Sequence, residues 1–590
     1  MKLHRIVLRI ALASSLIAGL VASPSAAPPP QGQELSSPAL FSRFGRATSP
    51  SADAVLGRER AEGAFQLGVL LADSAKSGQA NADWNMRPQN ETTIALHPTD
   101  HRKWVIGAND YGIGTPIGTG VYSSDGVNYF PPFALLAATG VFPPPNLLLE
   151  PPGGTGDPAL AYGLTRAAAG LPAGLPVVYM ASLGFSFSFC ENGLFVYRSL
   201  DNGKTWTRPV VPPLAPPAGL RTVVYHASGT DCSIFHDKEF IAVDMTHGPR
   251  AGRIYVTWTK FFFAGGVTYK ESPIMLAFSD NNGQTFSSPI EVSGFSMALC
   301  PNQQDGPPGE CDEDQGSVPV VLPDGKVAIA FINQQCPTCY AQGFRDQYLV
   351  TIFDPNTNSV AGPFKVADLF DGANDYPINE DGRQTLCNSN FRQWSAGNLA
   401  AAPDGKSLYV VWSDNRRHAG EFPFPTFVGP RAAGYPCPAG KKTDVDIFIS
   451  TGTFTPTGMT WSAPVRVNQD TFANDRDQWF PWVAVAPDGK RVDVVFYDRR
   501  GDPGNKLTHT FLARSRNGGQ TWRDFRVSDF ASNFDNAFFG IGVFIGDYNA
   551  LAIDRKGRSY PVWTGVRPGK MDSDVFFKIV GKGKDDDNDN

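Results

Sequence analysis

The chain has 590 residues, with 60 Gly, 49 Pro, 12% aromatic residues and only 18% charged residues. That length holds several small domains or one large repeat fold, and a turn-rich, aromatic-rich balance suits many short strands. The formal charge is −6 and no basic run crosses the body, which argues against nucleic acid as a partner.

In chain order, Lys2, Arg5 and Arg9 precede an apolar run from Ile10 to Ala22, and small residues follow at Ser23, Ser25, Ala26 and Ala27. Basic, apolar and small in that order reads as a secretory signal peptide over residues 1–27. The alternative, a membrane anchor, wants about 20 apolar residues, more than this run offers. No later segment has the length and apolarity of a transmembrane helix. The expectation is therefore an exported monomer, secreted or periplasmic, with no transmembrane segment after cleavage. Residues 28–86, rich in Pro, Ser and Ala, read as a partly disordered tail, part of which can close the fold. Residues 87–580 carry the repeats, and 581–590 form a polar, acidic tail expected to be disordered.

Three copies of one turn recur. Ser199–Trp206 reads S-L-D-N-G-K-T-W, Ser279–Phe286 reads S-D-N-N-G-Q-T-F, and Ser515–Trp522 reads S-R-N-G-G-Q-T-W. Ser123–Tyr129 and the G-M-T-W of Gly458–Trp461 are weaker copies. Each full copy follows a strand-like run. The Asp or Asn side chain can bond its own turn, the Gly permits a positive φ, and the closing aromatic buries a large apolar face. A second unit alternates with it: Pro-Asp-Gly-Lys at Pro323–Lys326, Pro403–Lys406 and Pro487–Lys490, with His97–Asp100 and Asp554–Gly557 in the same slot. Asp-Gly between apolar runs predicts a hairpin. The two turns together define a four-stranded unit, starting near Glu91, Asp157, Asp237, Asp314, Arg392, Asp477 and Asp547. One unit cannot bury both its faces, but a ring of units can. The predicted fold is all-β, a propeller of six or seven four-stranded blades. A solenoid or a pair of sandwiches is the alternative.

The eight cysteines, in an exported chain, read as disulfides. Sequence does not fix connectivity. Local pairing gives Cys190–Cys232, Cys300–Cys311, Cys336–Cys339 and Cys387–Cys437. Cys336-Pro-Thr-Cys339 has the spacing of a redox or zinc motif but lacks a second pair, and a loop staple is the preferred reading.

The Ser-x-Asp-x-Gly-x-Thr-Trp turn resembles the Asp box, the bacterial neuraminidase repeat of the sialidase-like superfamily, and the resemblance spans roughly Gln89 to Val580. It implies that these turns face away from the active site. The starts of the innermost strands and the loops between second and third strands then form the functional rim. Glu91, Asp157, Asp237, Glu239, Asp314, Arg392, Asp477 and Asp547 collect at the strand starts. Asp110, Asp414, Arg416, Arg417, Asp498, Arg499 and Arg500 collect in the loops.

The resemblance further implies an arginine cluster gripping a sugar carboxylate, a tyrosine nucleophile activated by a Glu, and an Asp as general acid. The matching candidates are Arg392, Arg416 and Arg499 for substrate, Tyr548 as nucleophile with Tyr497 behind it, Glu239 as base and Asp110 as acid. The family's Arg-Ile-Pro element has no counterpart, since the first repeat reads Gln89-Asn90-Glu91-Thr92-Thr93. No cofactor is required by such chemistry. A ring of Asp237, Asp314, Asp477 and Asp547 at a channel mouth would be costly without cations or arginines beside it, so bound Ca²⁺ is entertained there. Two functions stay open: a glycoside hydrolase acting on sialic acid or another acidic sugar, and a non-catalytic propeller that binds a glycan or glycoprotein. Insertions at Pro131–Gly154, Pro209–Gly219 and Asn415–Lys442 could build either a lid or a docking surface.

Overall fold

The turn chemistry read from the sequence closes the hairpins. In each Pro-Asp-Gly-Lys turn the Asp side chain accepts the Lys amide proton: Lys326 N to Asp324 at 3.1 Å, Lys406 N to Asp404 at 2.9 Å, Lys490 N to Asp488 at 2.9 Å. The glycine takes φ between 68 and 84°, a region open to it without a Cβ penalty. In the Ser-x-Asp/Asn turns the serine hydroxyl accepts from the glycine N–H, at 2.8 Å for Gly203, 3.0 Å for Gly283 and 2.9 Å for Gly519. The Asp or Asn accepts from the threonine N–H at 2.8 to 3.0 Å. Trp206 and Trp522 each fold back, the indole N–H donating to their own turn's glycine carbonyl at 3.1 Å.

These turns also stitch blades together. Asn202 donates to Ser123 of the preceding blade (3.0 Å), and Asn282 donates to Arg166 O and Ala168 O of its predecessor (3.0 Å each). The Gly458–Trp461 copy differs: it is itself a fourth strand, paired to Asp446–Thr455.

The computed structural model describes residues 78–80, 88–111, 118–124, 152–168, 170–186, 191–206, 223–227, 233–264, 268–301, 307–335, 344–372, 374–380, 382–455, 458–539 and 542–581. The signal-peptide reading, most of the 28–86 tail, residues 582–590 and the insertions 131–151 and 209–219 lie outside them. So do Cys190, Cys232, Cys336 and Cys339. Of the expected disulfides, Cys300–Cys311 and Cys387–Cys437 are formed, with Cα atoms 5.3 and 5.0 Å apart. Among the described residues no helix is long and apolar enough to cross a membrane, and the helical turns are three short 3₁₀ segments.

Seven sheets of three to five strands form a seven-blade β-propeller, with a two-stranded hairpin at Phe538–Val543 beside it. The innermost strands, blades I to VII, are Gln89–Leu96, Pro152–Leu164, Ile234–Val243, Asp314–Val321, Leu399–Ala401, Gln478–Val485 and Ala550–Ile553. Each touches the next and the last returns to the first, which closes the ring. Blade VII is completed from the other end of the chain: Gly78–Gln79 pairs with Asp574–Phe577 as its outermost strand. The strand starts lie where expected in five blades, but Arg392 and Asp547 stand in the loops before their strands. Apolar residues on both faces of the sheets fill the interblade layers, with Trp258, Trp412, Trp479 and Trp563 fully buried.

Asp201→Ala removes the acceptor that closes the Ser199–Trp206 turn and should cost about 1 kcal/mol. A urea midpoint lowered by no more than this, with function unchanged, checks the purely structural role of the turn.

Candidate functional site

Five innermost strands share one irregularity. Two residues face one on the neighbouring strand at Glu91-Thr92, Asp157-Pro158, Lys238-Glu239, Gly316-Ser317 and Phe480-Pro481. The first residue of each pair takes a left-handed conformation, with φ of 55, 51, 56, 67 and 50°. A bulge of this kind kinks the strand and re-aims a side chain. Only Gly316 occupies it without a Cβ. At Glu91, Asp157, Lys238 and Phe480 the backbone costs about 1 kcal/mol or more each, so neighbouring contacts must hold it.

At blades I, II and III those contacts are charges. The Lys238 ammonium lies 3.2 Å from Glu91 Oε1, 2.8 Å from Asp157 Oδ2 and 2.8 Å from Asp547 Oδ2, and Lys238 is 1% exposed. Arg392 grips Asp547 with both arms of its guanidinium, Nε to Oδ1 at 2.7 Å and Nη2 to Oδ2, over the ring of Phe544. Asn109 donates to Glu91 Oε2 at 2.7 Å and accepts from the Asp157 N–H at 2.7 Å. Gly546, at φ 82°, packs so near Glu91 that a Cβ there would lie 2.6 Å from it. Asp237 and Glu239 flank Lys238 and are buried. Tyr548 stands between Phe240 and Trp482, ring centroids 5.3 and 6.0 Å away.

Burial and charge set the protonation states. Burial raises Glu91 well above its ordinary value, and the negative charge of Asp157 adds to this. Burial also works on Asp157, but the Lys238 ammonium and hydrogen bonds from Glu91, Lys238 and Asn109 outweigh it and hold Asp157 at about 2. Burial pushes Asp237 and Glu239 well up. It pushes the Tyr548 phenol up too, helped by Glu91 and Asp157. Lys238 is raised, because its carboxylates outweigh burial. Lys238 and Arg392 thus meet Asp157 and Asp547 at the centre of a group whose other acids, Glu91, Asp237 and Glu239, are all raised by burial.

The structure therefore brings together Arg392, Asp547, Asp237, Glu239 and Tyr548. The other expected residues have separate settings. Arg416 turns back on Asp414, two residues earlier, with two bonds of 2.8 Å. Arg499 is buried over Trp479, bonds Ser389 Oγ at 2.6 Å and lies 3.8 Å from Asp477. Asp477 accepts from Thr443 and Asn505 at 2.8 and 2.7 Å, and Asp314 from Asn333 at 2.7 Å. Asp110 accepts from the Tyr122 hydroxyl at 3.3 Å. Arg392, Arg416 and Arg499 share no partner in these bonds.

Of the four carboxylates considered for Ca²⁺, Asp547 already has Lys238 and Arg392. Among the described residues no three His, Cys, Asp or Glu side chains converge as metal ligands. The residue that sequence reasoning missed is Lys238. The signal was a lysine inside a strand, Ile234–Val243, with no exposed position.

No protein-family model and no curated protein matches this chain. It resembles several solved structures. One is an α-L-arabinofuranosidase from Fusarium graminearum, 12% identical over 69% of this chain and 89% of that one, TM-score 0.37. Another is a protein of unknown function from Dyadobacter fermentans, 10% identical over 86% and 98%, TM-score 0.38. A third is a polysaccharide lyase, an ulvan lyase, 9% identical over 86% and 96%, TM-score 0.40. At such identities, what this chain does has to be read from its own residues.

Two outcomes follow for the cluster. Lys238→Met leaves buried carboxylates without their cation and should cost about 3–5 kcal/mol in denaturant unfolding. Asp237 has a folded pKa above its unfolded one, so its contribution is full below about pH 4 and is lost as the pH rises. Asp237→Asn should therefore gain stability relative to the parent between about pH 5 and about pH 8, read as melting temperatures across that range. A constant difference would show that Asp237 is ionised in the fold.

Proposed function

We propose that this is an exported, carbohydrate-active propeller of the sialidase-like kind, a glycoside hydrolase whose reacting centre is Tyr548, Glu239 and Arg392 and whose substrate carries an acidic sugar. The observation that carries this reading is a set of buried polar atoms with no partner: the Tyr548 hydroxyl, both carboxyl oxygens of Glu239 and Nη1 of Arg392. A fold leaves such groups unsatisfied at a cost of about 1–3 kcal/mol each unless something fills the site. A glycoside with a carboxylate on its reacting carbon would supply what they lack. Arg392 Nη1 donates to the carboxylate, and the Tyr548 oxygen attacks the anomeric carbon as the bond to the aglycone oxygen breaks; Glu239 accepts the phenolic proton, the aglycone leaves as an alcohol with a proton from water, and a second water then releases the sugar from Tyr548. Glu239 can do so only after losing its own proton, which burial makes harder. The two disulfides agree with an oxidising compartment outside the cytosol.

A second reading, a glycan-binding propeller without turnover, is favoured by one specific contact. Asp547 already occupies the Nε and Nη2 arms of Arg392, so only one guanidinium nitrogen remains for a ligand.

Hydrolysis of fluorogenic sialosides and uronides separates the two. For the hydrolase, Tyr548→Phe should lower kcat at least about a hundredfold. The rate should also climb with pH through the raised Glu239 value, and that limb should disappear in Glu239→Gln. Glycan-array binding with no turnover on either substrate class would sink the hydrolase and leave the binding module.

A further inference from the structure

A second group of buried acids lies between blades IV and V, apart from the axial cluster. Asp346 precedes the strand Gln347–Asp354 and Asp371 follows Ser359–Asp368, the Leu369 N–H donating to Asp346 O at 2.6 Å. Asp414 ends Ser407–Asp414 of blade V. Asn415 joins the two blades: its N–H donates to Phe370 O at 3.2 Å, and its side-chain amide donates to Asp375 O at 2.7 Å. Two guanidiniums stand here, and both are committed. Arg345 lies 3.2 Å from Asp375, Arg416 bonds Asp414, and the two arms lie over the same Phe370 ring at 4.4 and 5.3 Å.

Asp371 has no such cation. It is 7% exposed, and its Oδ1 is buried without a partner. Burial and the charges of Asp346, Asp375 and Asp414 push its carboxyl well up. Two neutral oxygens at the entrance to blade V are in the same condition. Gln393 Oε1 and Ser395 Oγ are buried and unpartnered, in residues 0% and 1% exposed. Ser395 stands beside Asp371 and favours its charged form. Tyr376 links the two, since its hydroxyl accepts from Gln393 Nε2 at 3.5 Å and lies near Ser395.

We propose that this interblade position binds a calcium ion, with Asp371 and Asp346 as its carboxylate ligands and Gln393 Oε1 and Ser395 Oγ as neutral ones. The chemistry of the donors selects the ion. They are oxygens throughout, a mixture of carboxylate, amide carbonyl and hydroxyl, with neither nitrogen nor sulfur to favour zinc. Ca²⁺ accepts six to eight oxygens in flexible geometry, which main-chain carbonyls and water can complete. A cation beside Asp371 also removes the cost of a buried carboxylate that lacks a counter-charge. The site bridges two blades, so its role is to fasten the ring, and it stands whether or not the axial centre is catalytic.

The test uses the full chain stripped with chelator. Added Ca²⁺ should raise the melting temperature and titrate to one equivalent by calorimetry, because a ligand bound only to the folded state stabilises it. Asp371→Asn should abolish both effects, while Asp237→Asn, in the axial cluster, should keep them. Terbium in place of calcium should show emission sensitised by Tyr376, diminished in Tyr376→Phe. Gln393→Leu, which keeps the charge, should weaken binding about tenfold. No stabilisation of the parent by Ca²⁺, or stabilisation that survives in Asp371→Asn, would overturn the proposal. Loss of the calcium effect in Asp237→Asn with retention in Asp371→Asn would move the ion to the axis and overturn it equally.

Discussion

The interaction on which the rest of the molecule depends is the contact of one buried ammonium with three carboxylates. Lys238 of blade III meets Glu91 of blade I, Asp157 of blade II and Asp547 at the entrance to blade VII. Arg392, at the entrance to blade V, is tied to the same Asp547. One charge cluster therefore fastens five of the seven blades at the axis. The left-handed backbone at Glu91, Asp157 and Lys238 belongs to the same arrangement. The bulge turns each side chain toward the axis, and the attraction there holds a conformation that L-residues otherwise avoid.

Electroneutrality in a dry centre then fixes the chemistry. Lys238 and Arg392 are the cations there, and they meet Asp157 and Asp547. Burial raises Glu91, Asp237 and Glu239, and the neighbouring carboxylate charges add to it. In the proposed hydrolase, Glu239 has to lose its proton against burial before it accepts one from Tyr548. The same constraint that closes the ring makes the axial acids sensitive to pH.

How much of this was legible in the sequence depended on the range of each interaction. The turns are local, so their logic showed directly in Ser199–Trp206 and Pro487–Lys490, and with it the propeller. Blade VII was harder, because its outer strand comes from Gly78–Gln79, nearly the whole chain away. The axial acids Asp237 and Asp547 were visible as carboxylates at strand starts, but their neutralising partner was not. A lysine between Asp237 and Glu239 reads as one more polar residue until a bulge, which leaves no mark in composition, turns it inward. The repeated Asp-Arg loops offered Arg416 and Arg499 for a substrate grip. Arg416 bonds Asp414, two residues earlier, at 2.8 Å, Arg499 lies buried over Trp479, and Arg500 divides itself between Asp498 and Asp524.

The chain thus handles buried carboxylates in three ways, distinguished by where the counter-charge comes from. Asp414 and Asp498 take it from their own loops, through an arginine two residues on, and the pair folds with its turn. Asp157 and Asp547 take it from other blades, so their ion pairs form only when the ring closes. Asp371 takes it from neither, although Arg345 and Arg416 stand close by on Asp375 and Asp414. Like Asp237, Glu239 and Asp312, it makes no ion pair among the described residues and is left to a proton or to a bound ion. The unpartnered oxygens of Gln393 and Ser395 favour the ion, because one proton on Asp371 can be donated to only one of them.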